Sequence, residues 1–238
     1  NGAFVGNHTV LDLNANARLN QDWVLGLSDI DNKKVYEAVN PGGLIGVWAK
    51  KNTRTDIWNA LKNKETYATS GNRMKVRFFG GFGFDKKYDD YETLVNAGYN
   101  QGVPMGGDLI QDDKNRPPSF LIWATKDPES ANLDRLQVIK GWYKNGQLEE
   151  KIYNVALSDN RKVNADGSVP DNGATVNLQT GEWSKDKGTT TFMINWTDPD
   201  FDPAAKAFYY VRVVELPSAR FTLWDQIRYN MKYPAGTA

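Results

Sequence analysis

Across 238 residues the chain balances 29 Lys and Arg against 29 Asp and Glu, so no net charge draws it to nucleic acid or to an anionic lipid surface. One histidine, His8, and no cysteine exclude a His-cluster centre, a cysteine-zinc site and a cysteine nucleophile built from this chain alone. The 8 Trp, 11 Tyr and 10 Phe supply a core, while no apolar window reaches the length of a membrane span.

The chain opens without Met, inside the apolar run Phe4-Val5-Gly6-Asn7-His8-Thr9-Val10, as expected for a piece of something longer. Lack of cysteine fits the cytosol and a disulfide-free exported protein alike, and the expectation leans to the periplasm or the exterior. Trp23 to Leu27 is a brief apolar run ending at Ser28-Asp29, and Asn40-Pro41-Gly42-Gly43 is a turn by composition. Leu44 to Ala49 reads as a buried strand. Thr53 is positioned as an N-cap, and Ile57, Ala60 and Leu61 follow at helical spacing, with Lys62 and Lys64 near the positive-tolerant C-terminal end. This strand-helix unit predicts the tail of an α/β domain over 1–80.

From Met74 the period becomes two: Met74, Val76 and Phe78 share one side, and Arg73, Lys75 and Arg77 the other. Similar runs occupy 120–125, 133–140, 148–157, 174–179, 190–196 and 207–215, separated by turns such as Asn145-Gly146 and Ala165-Asp166-Gly167-Ser168. Between them, 89–96 is readable as one or two helical turns or as a loop. The pattern predicts an α+β, mainly β chain, with an antiparallel β-sandwich over 81–238. Gly80-Gly81-Phe82-Gly83 is the expected boundary, and an open edge is expected to be covered either by the amphipathic 219–230 segment folding back, with Phe221, Trp224 and Ile227 on one face, or by a second chain.

Two constellations carry candidate chemistry. Asp198-Pro199-Asp200-Phe201-Asp202-Pro203 presents carboxylates at alternate positions, as the start of a calcium loop does, but lacks the Gly at the sixth position and the Glu at the twelfth. The reading the residues favour is a Pro-stiffened turn whose Asp side chains accept from their own backbone, with a substrate-facing role as a further alternative. Thr66 to Arg73 combines hydroxyls, Gly71 and a guanidinium; with Arg54, the residues Ser70 and Arg73 form a candidate anion or substrate contact. No base stands at a spacing that activates Ser70. Trp48, Trp123 and Trp196 lie in apolar strands as expected core, while Trp142-Tyr143 beside a turn is a candidate sugar platform.

Several of these strings together resemble the family designated DUF3604: Gly43-Leu44-Ile45-Gly46-Val47-Trp48-Ala49, Glu65-Thr66-Tyr67-Ala68-Thr69-Ser70-Gly71, Arg77-Phe78-Phe79-Gly80-Gly81, Lys140-Gly141-Trp142, Trp196-Thr197-Asp198-Pro199-Asp200-Phe201-Asp202-Pro203 and Ala207-Phe208-Tyr209-Tyr210-Val211-Arg212. The resemblance spans about 43–217 and is read as covering only a C-terminal portion of the family. It implies a PHP-like metal-dependent hydrolase, whose α/β barrel holds divalent manganese, zinc or magnesium; the 1–80 unit would be the barrel's remnant. Asp29 matches an Asp of the family's metal signature and Asp31 stands where that signature has His, so both are candidate metal ligands. The implied function is the C-terminal part of a phosphoesterase-type hydrolase, incomplete alone and partnered by a missing N-terminal part or a second copy of the chain. The alternative is a non-catalytic module binding carbohydrate or a protein.

Overall fold

The computed structural model describes residues 43–84, 87–110, 116–144 and 146–230. Strand β1 (Leu44–Val47) leads through helix α1 (Arg54–Lys62) into β2 (Thr66–Thr69), which pairs antiparallel with β1. Thr53 caps α1 as its spacing predicts, accepting from the Asp56 N–H at 3.2 Å. Strand β3 (Lys75–Gly81) precedes helix α2 (Tyr91–Gln101), and β4 (Gly102–Pro104) and β5 (Ser119–Thr125) follow. Then come β6 (Leu133–Lys144), β7 (Gln147–Leu157), β8 (Thr191–Thr197), β9 (Ala207–Glu215) and helix α3 (Phe221–Tyr229).

These strands form three open antiparallel sheets among the described residues: β1-β2, β4-β3-β5-β8 and β7-β6-β9. The expected barrel remnant and sandwich are therefore corrected to a mixed α+β fold, mostly strand, with three short helices and no closed sheet among those residues. Period-two alternation locates a strand and its apolar face; it does not specify which strands pair or whether a sheet closes. Strand β3 runs through residue 80, and its register with β5 continues to Gly81↔Ser119.

Alternation does place the core. Met74, Val76 and Phe78 are buried with Phe120, Ile122, Leu136, Val138 and Phe192, an apolar cluster drawn from both larger sheets. The other face of β3 and β5 buries Phe79 and Leu121 beneath Leu94 and Ala97 of α2. Helix α2 is longer than the one or two turns expected, because Asp90 caps it, accepting from the Thr93 N–H at 2.8 Å, and its apolar residues have this second face to cover.

Three local expectations change. Residues 174–179 form only an isolated bridge, Val176↔Trp183, because Asn177 turns its side chain onto the N–H groups of Gln179 and Thr180 and Gly181 adopts φ +75°. In β1, Leu44 and Ile45 are exposed, and Trp48, just past its end, is half-buried, its indole donating to the Val76 carbonyl at 2.7 Å. Helix α3 does form over the predicted segment, but it buries Thr222 and Leu223; Ile227 stays exposed and the Trp224 ring lies over Gly181.

Candidate functional site

The three carboxylates of the 198–202 loop each meet a lysine from the neighbouring sheet. Lys140 of β6 donates to Asp198 Oδ2 at 2.6 Å, Lys151 of β7 donates to Asp200 Oδ2, and Lys144 stands 3.8 Å from Asp202. Tyr153 and Tyr209 add hydroxyl donors to Asp200 and Asp198, both at 2.7 Å. The loop also binds its own backbone, with Asp198 Oδ1 accepting from the Asp200 N–H at 2.9 Å and Asp202 Oδ1 from the Ala204 N–H at 3.0 Å. Lys151, then Tyr153, holds the Asp200 carboxyl below its ordinary range, while burial and the Asp198 carboxylate push the Tyr209 phenol up. Lysine ammonium groups thus occupy the positions in which the sequence invites a cation. A Lys inside the apolar run Leu136-Gln137-Val138-Ile139-Lys140 was the sequence signal for this partner.

The anion candidates separate. Ser70 borders an open cleft of about 1980 Å³ that runs past β2, the 103–109 loop and β9. Arg73 donates its backbone N–H to Asp127 at 2.6 Å and leaves its side chain exposed, and Arg54 is exposed at the first residue of α1. Neither arginine is among the described residues lining the cleft. Asp29 and Asp31 lie outside the described residues. Among the described residues, no group of three or more His, Cys, Asp or Glu is placed to hold a metal.

At the Ser70 end of the cleft stands Glu215, accepting from Ser130 Oγ, from Asn72 Nδ2 and from the Ala131 N–H at 2.8 Å. Burial nevertheless dominates and raises its pKa above 4.5. The folded state therefore retains a proton that the unfolded chain releases, so this contribution is fully present below pH 4.5 and is lost as pH rises through the raised value. Glu215→Gln is expected to flatten the pH dependence of the urea midpoint above pH 4.5. The Asn72 amide can turn to offer its unpaired Oδ1 to the new amide donor. Parallel wild-type and variant curves from pH 4.5 upward would contradict it.

The third feature is the face of β7-β6-β9 that points away from the shared core. Register places Leu148 beside Tyr143, Glu150 and Phe208 beside Gly141, Ile152 and Tyr210 beside Ile139, and Asn154 and Arg212 beside Gln137. Five of these aromatic or aliphatic side chains stand well into solvent: Leu148 is 81% exposed, Tyr143 62%, Phe208 57%, Ile152 44% and Tyr210 43%. The Phe208 and Tyr210 rings are nearly parallel, 11° apart with centroids at 6.3 Å. Phe208 lies flat because Gly141 lets it: a Cβ there would sit 2.2 Å from the ring. Next to Tyr210 the three strands carry a fixed polar row, in which Gln137 donates to Asn154 at 2.7 Å and Arg212 donates to Gln137 at 2.8 Å. Tyr143 of the predicted platform belongs to this face. Trp142 turns to the other side, its ring 5.4 Å from the Lys140 ammonium, and sequence reading missed Phe208 and Tyr210 because an aromatic run shows alternation without showing which face is covered.

The chain belongs to the family described as Protein of unknown function (DUF3604), which it matches over residues 2–238. The match corrects the expected C-terminal portion, since it covers nearly the full chain, and the comparisons give no link to PHP-like hydrolases. No curated protein and no solved structure matches it.

Proposed function

We propose that this chain is a binding module whose working surface is the outward face of β7-β6-β9, and that its ligand is carbohydrate. The observation that supports this reading is the near-parallel Phe208–Tyr210 pair, Phe208 laid over Gly141, beside the Asn154-Gln137-Arg212 row. Contiguous exposed apolar surface of this kind marks interaction sites in soluble proteins. A pyranose presents an apolar C–H face that stacks on an aromatic ring, and hydroxyls at its rim that an amide and guanidinium row can recognise. A purely apolar protein interface has no use for an ordered polar row beside the rings.

Affinity gel electrophoresis of the full chain through soluble β-glucan, xylan and mannan tests the reading. Retardation is expected with at least one polymer, and Phe208→Ala or Tyr210→Ala is expected to weaken binding by about two- to twelvefold each, one stacked ring contributing roughly 0.5–1.5 kcal/mol. Unchanged migration in every gel would sink it. Phosphoester turnover by the full chain with manganese, zinc or magnesium, lost in Asp29→Ala, would instead favour the hydrolase expectation.

A further inference from the structure

We propose that Lys140 and Asp198 condense to an isopeptide bond that ties the β7-β6-β9 sheet covalently to the end of β8. Three Lys–Asp pairs share this cluster, and only one is dry. The side chains of Lys140 and Asp198 are 5% and 0% exposed, whereas Lys151 and Asp200 are 50% and 47% exposed and Lys144 and Asp202 54% and 45%. Water stabilises the two outer pairs as ions. The inner pair is shut away from bulk water, so amine and carboxyl are held against each other with no hydration shell to separate them. Nζ attacks through its lone pair as a proton passes to the neighbouring oxygen, and the amide that results removes the buried charges altogether.

The surroundings fit each part of the condensation. Nζ lies 2.6 Å from Oδ2 and also donates to the Asp200 carbonyl at 2.7 Å, which fixes its direction. The Asp200 N–H holds Oδ1 at 2.9 Å, where negative charge gathers as Nζ adds to Cγ. The Tyr209 hydroxyl donates to Oδ2 at 2.7 Å and can pass a proton to the departing oxygen while regaining one from Nζ. The rings of Trp142 and Tyr209 flank Nζ at 5.4 and 5.8 Å. The Nζ–Cγ bond forms and the Cγ–Oδ2 bond breaks. Oδ2 leaves as water, carrying two of the three ammonium protons while the third stays on the amide, so no oxidant or cofactor is required.

Intact mass of the folded full chain, measured after denaturation, is the test. The mass is expected to fall below the sequence value by one water, and a tryptic digest to contain a branched peptide joining the segments of Lys140 and Asp198. Lys140→Arg should restore the calculated mass with the fold retained by circular dichroism. Should that variant not fold, Tyr209→Phe should leave a mixture of linked and unlinked chains. A wild-type mass equal to the sequence value after days at neutral pH overturns the proposal. So does a water loss that maps to a cyclised Asp166-Gly167 and not to Lys140 and Asp198.

Discussion

Arg161→Met is expected to lower the stability of the full chain by about 3 kcal/mol, read as a shift of the urea midpoint without a change in slope. Arg161 follows β7 and pins the start of the long passage to β8. Its guanidinium donates to the Ser158 carbonyl at 3.1 Å, the Pro170 carbonyl at 2.8 Å, the Asp134 carbonyl at 2.9 Å and the Asp134 carboxylate. Asp134 is buried, so losing this partner strands its carboxylate away from water with Arg135 alone to pair it. Arg135 reaches the same carboxylate through Nη1, and its Nε is buried without a partner. Adding Asp134→Leu to Arg161→Met should recover part of the loss, because the stranded charge then disappears. A single variant within about 0.5 kcal/mol of wild type would show the clamp to be dispensable.

Phe79→Ala should cost more, about 3–5 kcal/mol, because a large ring leaves a site that the surroundings fill poorly. Phe79 is buried between β3 and α2, edge-on to Tyr99 at a centroid distance of 5.0 Å. Gly98 allows α2 this close, since a Cβ there would lie 2.4 Å from the Phe79 ring. Gly98→Ala is therefore also destabilising, by about 1–3 kcal/mol. Combined with Phe79→Leu, it should cost less than the sum of the two single changes, as measured by chemical unfolding. Strict additivity would mean that the glycine and the ring are not packed against each other.

The parts of this fold that were legible in sequence are those governed by neighbours in the chain. Alternation of Met74, Val76 and Phe78 found a strand and its buried side, and Thr53 marked the start of α1. Sheet closure was not legible, because the same alternation suits an edge strand, a centre strand and a barrel stave. Residues 174–179 alternated as clearly as any true strand, but Asn177 and Gly181 form turns in which local hydrogen bonds outcompete a ladder. The 198–202 loop was visible as three carboxylates, yet its lysines come from β6 and β7, far away in sequence. The outward aromatic face was hidden for a related reason: only cross-strand register shows that Phe208 rests on Gly141.

Strand order also sets how quickly such a chain assembles. Strand β5 finds β8 through pairs such as Ser119↔Thr197, and β6 finds β9 through pairs such as Gln137↔Arg212, whereas among the described strands only β6 and β7 meet as an immediate hairpin. Closing the distant pairs costs chain entropy before any contact offsets it, which puts refolding in the slower, millisecond-to-second regime of β-rich topologies. The β6-β7 hairpin is the natural first structure. Until β9 arrives, that hairpin leaves the other edge of β6 unpaired, so dilute conditions should favour recovery of the native chain over association through that edge.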